Sequence, residues 1–164
     1  MNKMIKAFVM DIDGTLTDGG LYIGNDGEVA KRFHVKDGYA VHDILPSMGI
    51  IPIVITGRKS EIVSQRCKEL GISHLVQESK NKVEDLKKIL FYEKIDLDET
   101  AYIGDDLNDL PCMKIVGIKG CPSDAVEEIR QIADYVTKQT GGNGAVREFV
   151  EWLKKKESLE EKRC

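Results

Sequence analysis

Residues 9–20 read Val9-Met10-Asp11-Ile12-Asp13-Gly14-Thr15-Leu16-Thr17-Asp18-Gly19-Gly20 and put two carboxylates two positions apart just where an apolar run ends. The run itself, residues 5–10, has the length and near-continuous hydrophobicity of a parallel strand buried on both faces. Two acids at i and i+2 on an extended chain point the same way, and the glycine turn behind them lets the backbone approach a ligand closely. Similar apolar runs recur at residues 50–55, 74–76, 101–103 and 116–118. Amphipathic segments lie between them. Ile62, Val63, Cys67 and Leu70 keep helical spacing before Gly71, a C-cap candidate, and Val83, Leu86, Ile89 and Leu90 do the same further on. Strand and helix alternate, which predicts an α/β fold: a doubly wound, Rossmann-like parallel sheet with right-handed crossovers.

Two segments break that rhythm. Leu21-Tyr22-Ile23 and Glu28-Val29-Ala30-Lys31-Arg32-Phe33 flank the turn Gly24-Asn25-Asp26-Gly27, so a β-hairpin projects over about residues 21–33. Near the other end, Gly141-Gly142-Asn143-Gly144 reads as a flexible hinge opening a tail, followed by an amphipathic stretch at 145–153 and a charged, frayed end. The 164 residues, 41% hydrophobic and 32% charged, suit a single globular domain over 1–164.

Composition narrows the partners. A formal net charge of -4 offers no broad basic surface, which excludes nucleic acid while leaving room for a local cluster that grips one phosphate. No apolar run approaches the ~18–20 residues of a membrane span, and the N-terminus lacks the core of a signal peptide, so a cytoplasmic protein is expected. Cys67, Cys112, Cys121 and Cys164 are scattered without a C-x-x-C pair, which argues against zinc and for reduced thiols.

In open α/β sheets ligands bind outside the carboxyl ends of the strands. In chain order those ends carry Asp11 and Asp13; Thr56-Gly57-Arg58-Lys59; Lys82 at the start of a helix; and Gly104-Asp105-Asp106-Leu107-Asn108-Asp109. Acids from two strand ends supply oxygen ligands for a hard divalent cation such as Mg²⁺, which completes its shell with water and phosphate. A hydroxyl, backbone N–H groups and a lysine add the donors and charge that a transferring phosphoryl group needs. Any one of these aspartates alone is an ordinary cap or turn residue; four clusters on one edge predict a phosphoryl-transfer site.

The four clusters resemble the motifs of the haloacid dehalogenase superfamily. Gly27-Glu28, Phe33-His34-Val35-Lys36-Asp37-Gly38-Tyr39, Ile55-Thr56-Gly57-Arg58-Lys59 and Gly141-Gly142-Asn143-Gly144-Ala145-Val146-Arg147-Glu148 are similar to its capless branch that hydrolyses 3-deoxy-manno-octulosonate 8-phosphate in lipopolysaccharide sugar synthesis. The resemblance implies that Asp11 is the nucleophile, forming an aspartyl-phosphate, and Asp13 the acid and base. It implies Mg²⁺ held by the Asp11 carboxylate, the Asp13 carbonyl and the Asp105 carboxylate, with Asp106 and Asp109 orienting ligands and an exchange of roles between Asp105 and Asp106 left open. Thr56 and the Gly57 amide would bind phosphate oxygens, with Lys82 neutralising charge. The sugar acid would meet His34, Val35, Lys36, Asp37, Gly38, His42, Arg58 and Arg66. A homotetramer joined through the hairpins is implied, the tail of one chain reaching a neighbour's site and Arg147 donating to the sugar acid.

One departure stands out: the family commonly has Gln-Gly after the third strand, whereas this chain has Gln77-Glu78. Three other readings compete with the octulosonate ester: a phosphatase for a nononate 9-phosphate, a receiver-type signalling module, and a non-catalytic regulatory domain of a sugar-nucleotide pathway. A receiver's acidic pair precedes its phosphorylated aspartate, whereas Asp105-Asp106 follows Lys82, and the full set of acids opposes a silent domain.

Overall fold

The computed structural model describes residues 3–162. Its elements are β1 (Ala7–Met10), β2 (Tyr22–Gly24), β3 (Gly27–Ala30), α1 (Val35–Tyr39), α2 (Leu45–Ser47), β4 (Ile51–Ile55), α3 (Glu61–Glu69), β5 (His74–Val76), α4 (Lys82–Glu93), β6 (Thr100–Ile103), α5 (Leu110–Met113), β7 (Ile118–Cys121), α6 (Glu127–Ile132), β8 (Tyr135–Val136) and α7 (Ala145–Glu161). Six strands form one parallel sheet in the order β5-β4-β1-β6-β7-β8, and β2 and β3 form a separate antiparallel hairpin.

Successive side chains of β1 point to opposite faces, and both faces are covered. Phe8 and Met10 face a core that contains Val63 and Cys67 of α3 and Val146, Phe149, Val150 and Leu153 of α7. Ala7 and Val9 face a second core with Leu86 and Leu90 of α4, Cys112 and Met113 of α5 and Ile129 of α6. Each fully buried side chain of this size contributes about 1.5–3 kcal/mol, so the two cores fix the strand ends that carry the acids.

Register does the rest. Met10 stands opposite Val54 of β4 and Ile103 of β6, so the chain leaves β1 and β6 at one level and β4 one residue further on, at Ile55. Asp11, Thr56 and Gly104 start there, at the point where the strand order turns back past β1.

Several boundaries differ from the sequence reading: β1 starts at Ala7, not residue 5, and β3 ends at Ala30, not residue 33. β7 starts at Ile118, not residue 116, because Gly117 N–H bonds to the Leu97 carbonyl and this loop packs against Asp98. β8, two residues at the sheet edge, had no pattern to announce it. α7 continues to Glu161 instead of fraying after 153. Gly71 does follow the last turn of α3, with φ +70°, beyond the Leu70 C-cap. Cys67, Cys112 and Cys121 are free and buried, and Cys164 lies outside the described residues. No helix among the described residues is long and apolar enough to cross a membrane.

Candidate active site

Beyond β1 the chain makes a wide turn over Ile12–Leu16, closed by Thr17 N–H to the Ile12 carbonyl at 3.0 Å. Gly14 takes φ +90°, and a Cβ there would lie 2.0 Å from Asp105 Oδ2. Only glycine meets both conditions, a left-handed backbone and a carboxylate against the Cα. Thr15 Oγ1 then donates to Asp105 Oδ1 at 2.9 Å, fastening the acid of the β6 loop to the turn after β1.

Lys82 is the first residue of α4, whose Asn81 cap accepts the Glu84 N–H. The helix therefore starts at a fixed point and sends its first side chain inward. Lys82 Nζ sits 3.0 Å from Asp11 Oδ1 and 2.9 Å from Asp109 Oδ1, with all three side chains buried. Burial alone would push a lysine pKa down, but Asp11 and Asp109 outweigh it and hold the ammonium above its ordinary value.

Asp109 is wholly buried and fully used. Oδ1 accepts Lys82 and the Tyr102 hydroxyl (2.7 Å); Oδ2 accepts the N–H groups of Asp105 (3.0 Å) and Asp106 (3.4 Å). Asp11, Asp105 and Asp109 bring carboxylate oxygens within 4.8 Å of one another. With no lone pair left over, Asp109 orders the loop and the lysine; Asp11 and Asp105 are the acids with oxygen to offer. Asp106 is exposed, outside this group, and caps its own loop through Leu107 N–H at 2.7 Å.

The pair is short of positive charge. Burial and the Asp109 carboxylate raise Asp11 to about 7 against the pull of Lys82. Burial and the charges of Asp11 and Asp109 raise Asp105 to about 7 as well. Two acids that resist ionising side by side, beside a lysine already shared, form a donor set that fits a hard divalent cation.

A cleft of about 380 Å³ opens over them, lined by Asp11, Asp13, Thr56, Gly57, Arg58, Asp106, Leu107 and Asn108. Thr56 is held by its N–H to the Val76 carbonyl at 2.9 Å and its carbonyl from Ser79 N–H at 3.1 Å. Leu107 and Asn108 belong to the fourth motif, where the sequence reading assigned them no role, and they line the cleft. Asp13 lies at the rim: Lys31 Nζ is 2.5 Å from its Oδ1 and Arg58 Nε 3.9 Å from its Oδ2. Lys31 was also missed, since only the folded hairpin brings it to Asp13.

Residues 68–149 match the family model for haloacid dehalogenase-like hydrolases. The 3-deoxy-D-manno-octulosonate 8-phosphate phosphatase of Escherichia coli K12 is 44% identical over 149 residues, covering 91% of this chain and 79% of that protein. The chain belongs to the haloacid dehalogenase-like hydrolases. A crystal structure of the Moraxella catarrhalis octulosonate 8-phosphate phosphatase, in complex with magnesium ion, phosphate ion and KDO, superposes with TM-score 0.88 at 43% identity, over 92% of this chain and 86% of that one. The cobalt-bound Haemophilus influenzae deoxy-D-mannose-octulosonate 8-phosphate phosphatase gives TM-score 0.88 at 34% identity, over 92% and 88%. As in the sequence reading, the sheet is doubly wound, the hairpin projects and no cap domain is seen among the described residues.

Within this hydrolase several expected sugar contacts stand elsewhere. Asp37 is buried, its carboxylate accepting the N–H of Arg147 (2.9 Å) and Gly144 (3.3 Å), so it holds the start of α7. Arg147 bonds Glu151 at 2.6 Å and lies 5.2 Å from the Tyr39 ring, away from the Asp11 cleft. Arg66 stacks over Phe33, pairs with Glu69 at 3.3 Å and crowds Gly38, lining a separate depression. His34 caps α1 by accepting Lys36 N–H, Val35 and Lys36 are exposed, and His42 pairs with its neighbour Asp43 in solvent. None of these lines the cleft of its own chain.

The glycines at 141–144 are not a free hinge. A Cβ on Gly141 would lie 1.8 Å from the Gly14 carbonyl oxygen, and Gly142 N–H bonds the Thr15 carbonyl at 3.0 Å. The segment clamps the turn after β1 on its own chain. Glu78 has φ +55°, where the family's glycine would be relaxed, and its exposed carboxylate reaches only towards Lys59 at 4.0 Å.

Proposed function

We propose that the chain is a Mg²⁺-dependent phosphatase that hydrolyses 3-deoxy-D-manno-octulosonate 8-phosphate in the cytoplasm, in lipopolysaccharide sugar synthesis. The observation that carries it is the Asp11–Lys82–Asp109 cluster beside Asp105, on a chain 44% identical to phosphatases of that ester. The free, buried Cys67, Cys112 and Cys121 suit a reducing compartment.

Asp11 attacks phosphorus, the bond to the sugar oxygen breaks, and Asp13 gives that oxygen its proton. Asp13 then takes a proton from the water that splits the aspartyl-phosphate, so one hard hydrolysis becomes two easier steps. Thr56 and the Gly57 N–H hold phosphate oxygens. Lys82 keeps the Asp11 carboxylate aimed and offsets the charge of the transferring group, while Asp109 fixes Lys82. Asp11, the Asp13 carbonyl and Asp105 would hold Mg²⁺, which when bound supplies positive charge between the nucleophile and an anionic ester. The Thr15 bond to Asp105 supports that acid over Asp106.

Arg58 is the cleft's cation for the sugar carboxylate, suited to a bidentate grip. Exposed Leu21, Tyr22, Ile23 and Val29 on the hairpin support assembly into a tetramer, which sedimentation would read directly.

The test of the function is phosphate release from octulosonate 8-phosphate, nononate 9-phosphate and common sugar phosphates, each with Mg²⁺ and with EDTA. A Mg²⁺-dependent kcat/KM at least ~100-fold higher for the octulosonate ester, about 2.7 kcal/mol of selectivity, is expected. A flat profile overturns the substrate, and no release at all overturns the phosphatase.

A further inference from the structure

The Lys31 side chain is 1% exposed, unlike most surface lysines, and it is held by two acids. Its Nζ lies 2.5 Å from Asp13 Oδ1 and 2.9 Å from Glu28 Oε1. Glu28 in turn accepts the Ser60 hydroxyl, Ser60 caps α3 through Val63 N–H, and Ser60 N–H bonds Gln77. A buried ammonium is tolerated only when it is paired, and here the hydrogen bond goes to Asp13 while Glu28 adds a second negative charge as an ion pair. The chain carrying it is pinned on both sides, by the β2–β3 ladder before it and by the Thr17–Phe33 bridge after it.

We propose that Lys31 is a positioning residue of the reaction: it fixes the Asp13 carboxylate by one oxygen so that the other faces the cleft and the leaving group. This rests on the phosphatase reading above. The hairpin thereby completes the proton-transfer arm of the site, in addition to any part in assembly. A lysine that only fastened the hairpin to the body would need no contact with Asp13, because Glu28 and Ser60 already span that seam. Asp13 Oδ2 is left towards Arg58, 3.9 Å away across the cleft mouth.

The step at stake is departure of the leaving group. As the Asp11 oxygen bonds phosphorus, the P–O bond of the ester breaks with its electron pair on the leaving oxygen. A sugar alkoxide needs the Asp13 proton at that moment. A nitrophenolate does not, since its ring carries the charge. kcat/KM reports events up to that departure, so comparing an alkyl with an aryl ester isolates the proton donor from the rest of the site.

The experiment measures kcat/KM of wild type, Lys31→Met and Asp13→Asn with octulosonate 8-phosphate and with p-nitrophenyl phosphate, at saturating Mg²⁺. General acid catalysis contributes ~10²–10⁴-fold, and Lys31→Met should lose at least ~10-fold more on the sugar ester than on the aryl ester, in the same direction as Asp13→Asn. Equal losses on both esters, or no loss, would overturn the inference. Lys31→Met/Glu28→Gln removes the acid orphaned by the single change, and its ratio is read if the single variant fails to fold. If neither variant folds, Lys31 is a structural closure and the inference is wrong. A wild type active on p-nitrophenyl phosphate and another alkyl phosphate, but not on the octulosonate, overturns the substrate alone, and the same ratio is then taken with that alkyl ester. A wild type inactive on every ester overturns both.

Discussion

Gly14 and Asp105 occupy touching positions: a Cβ on the first would lie 2.0 Å from a carboxylate oxygen of the second. Gly14→Ala must therefore strain a φ of +90° and displace the acid. The left-handed backbone alone costs about 1–2 kcal/mol, and a displaced ligand weakens a metal site by ~10–100-fold. The expected outcome is a lower urea midpoint and a Mg²⁺ activation curve shifted to higher concentration. An unshifted curve would remove Asp105 from the metal site.

Asp109→Asn and Asp11→Asn should separate cleanly. Asp109 has no solvent exposure and serves four donors, so losing its charge leaves Lys82 with Asp11 alone and costs about 3 kcal/mol of stability. Asp11→Asn removes a carboxylate crowded by two others while Lys82 keeps Asp109. Its stability in EDTA should equal or exceed that of wild type, with turnover gone. Turnover above background would sink the aspartyl-phosphate route.

The pH dependence follows from the same crowding. Asp11 and Asp105 have folded values of about 7 against 3.8 for the ordinary group, so the folded state binds more protons between those limits. Stability contributed here falls as pH rises through that window. In EDTA, the difference in urea midpoint between wild type and Asp105→Asn should grow less favourable to wild type from pH 5 to pH 8, and saturating Mg²⁺ should cancel the trend. A difference that ran the other way would mean the carboxylates are not short of positive charge.

Glu78 offers a test of local strain. Its φ of +55° suits glycine, and its exposed side chain makes no contact with the cleft. Glu78→Gly removes a left-handed penalty and adds unfolded-state entropy, for a net gain of up to about 1 kcal/mol. kcat/KM should stay within about twofold, and a larger change would bring Glu78 into substrate binding.

The acids and the sheet were legible because strands buried on both faces leave unbroken apolar runs, and the chemistry sits at their ends. β8 was not, because two residues at an edge make no pattern. The glycines at 141–144 misled for a physical reason: glycine marks conformational freedom and close backbone approach alike, and here Gly141 meets the Gly14 carbonyl. Lys31 was silent because its pairing with Asp13 exists only once the hairpin folds back.

Asp37 decides between two roles that one motif segment can serve. As a sugar contact, Asp37→Ala would raise KM and leave stability alone. The structure instead has it accepting the Gly144 and Arg147 N–H groups at the start of α7, whose glycine segment clamps the turn carrying Asp13 and Gly14. Removing such a cap costs about 0.5–2 kcal/mol, more when the orphaned N–H groups are buried. The start of α7 would loosen and release the turn, so the thermal midpoint and kcat should fall together with KM little changed. A stable Asp37→Ala with KM raised tenfold would return this residue to the substrate.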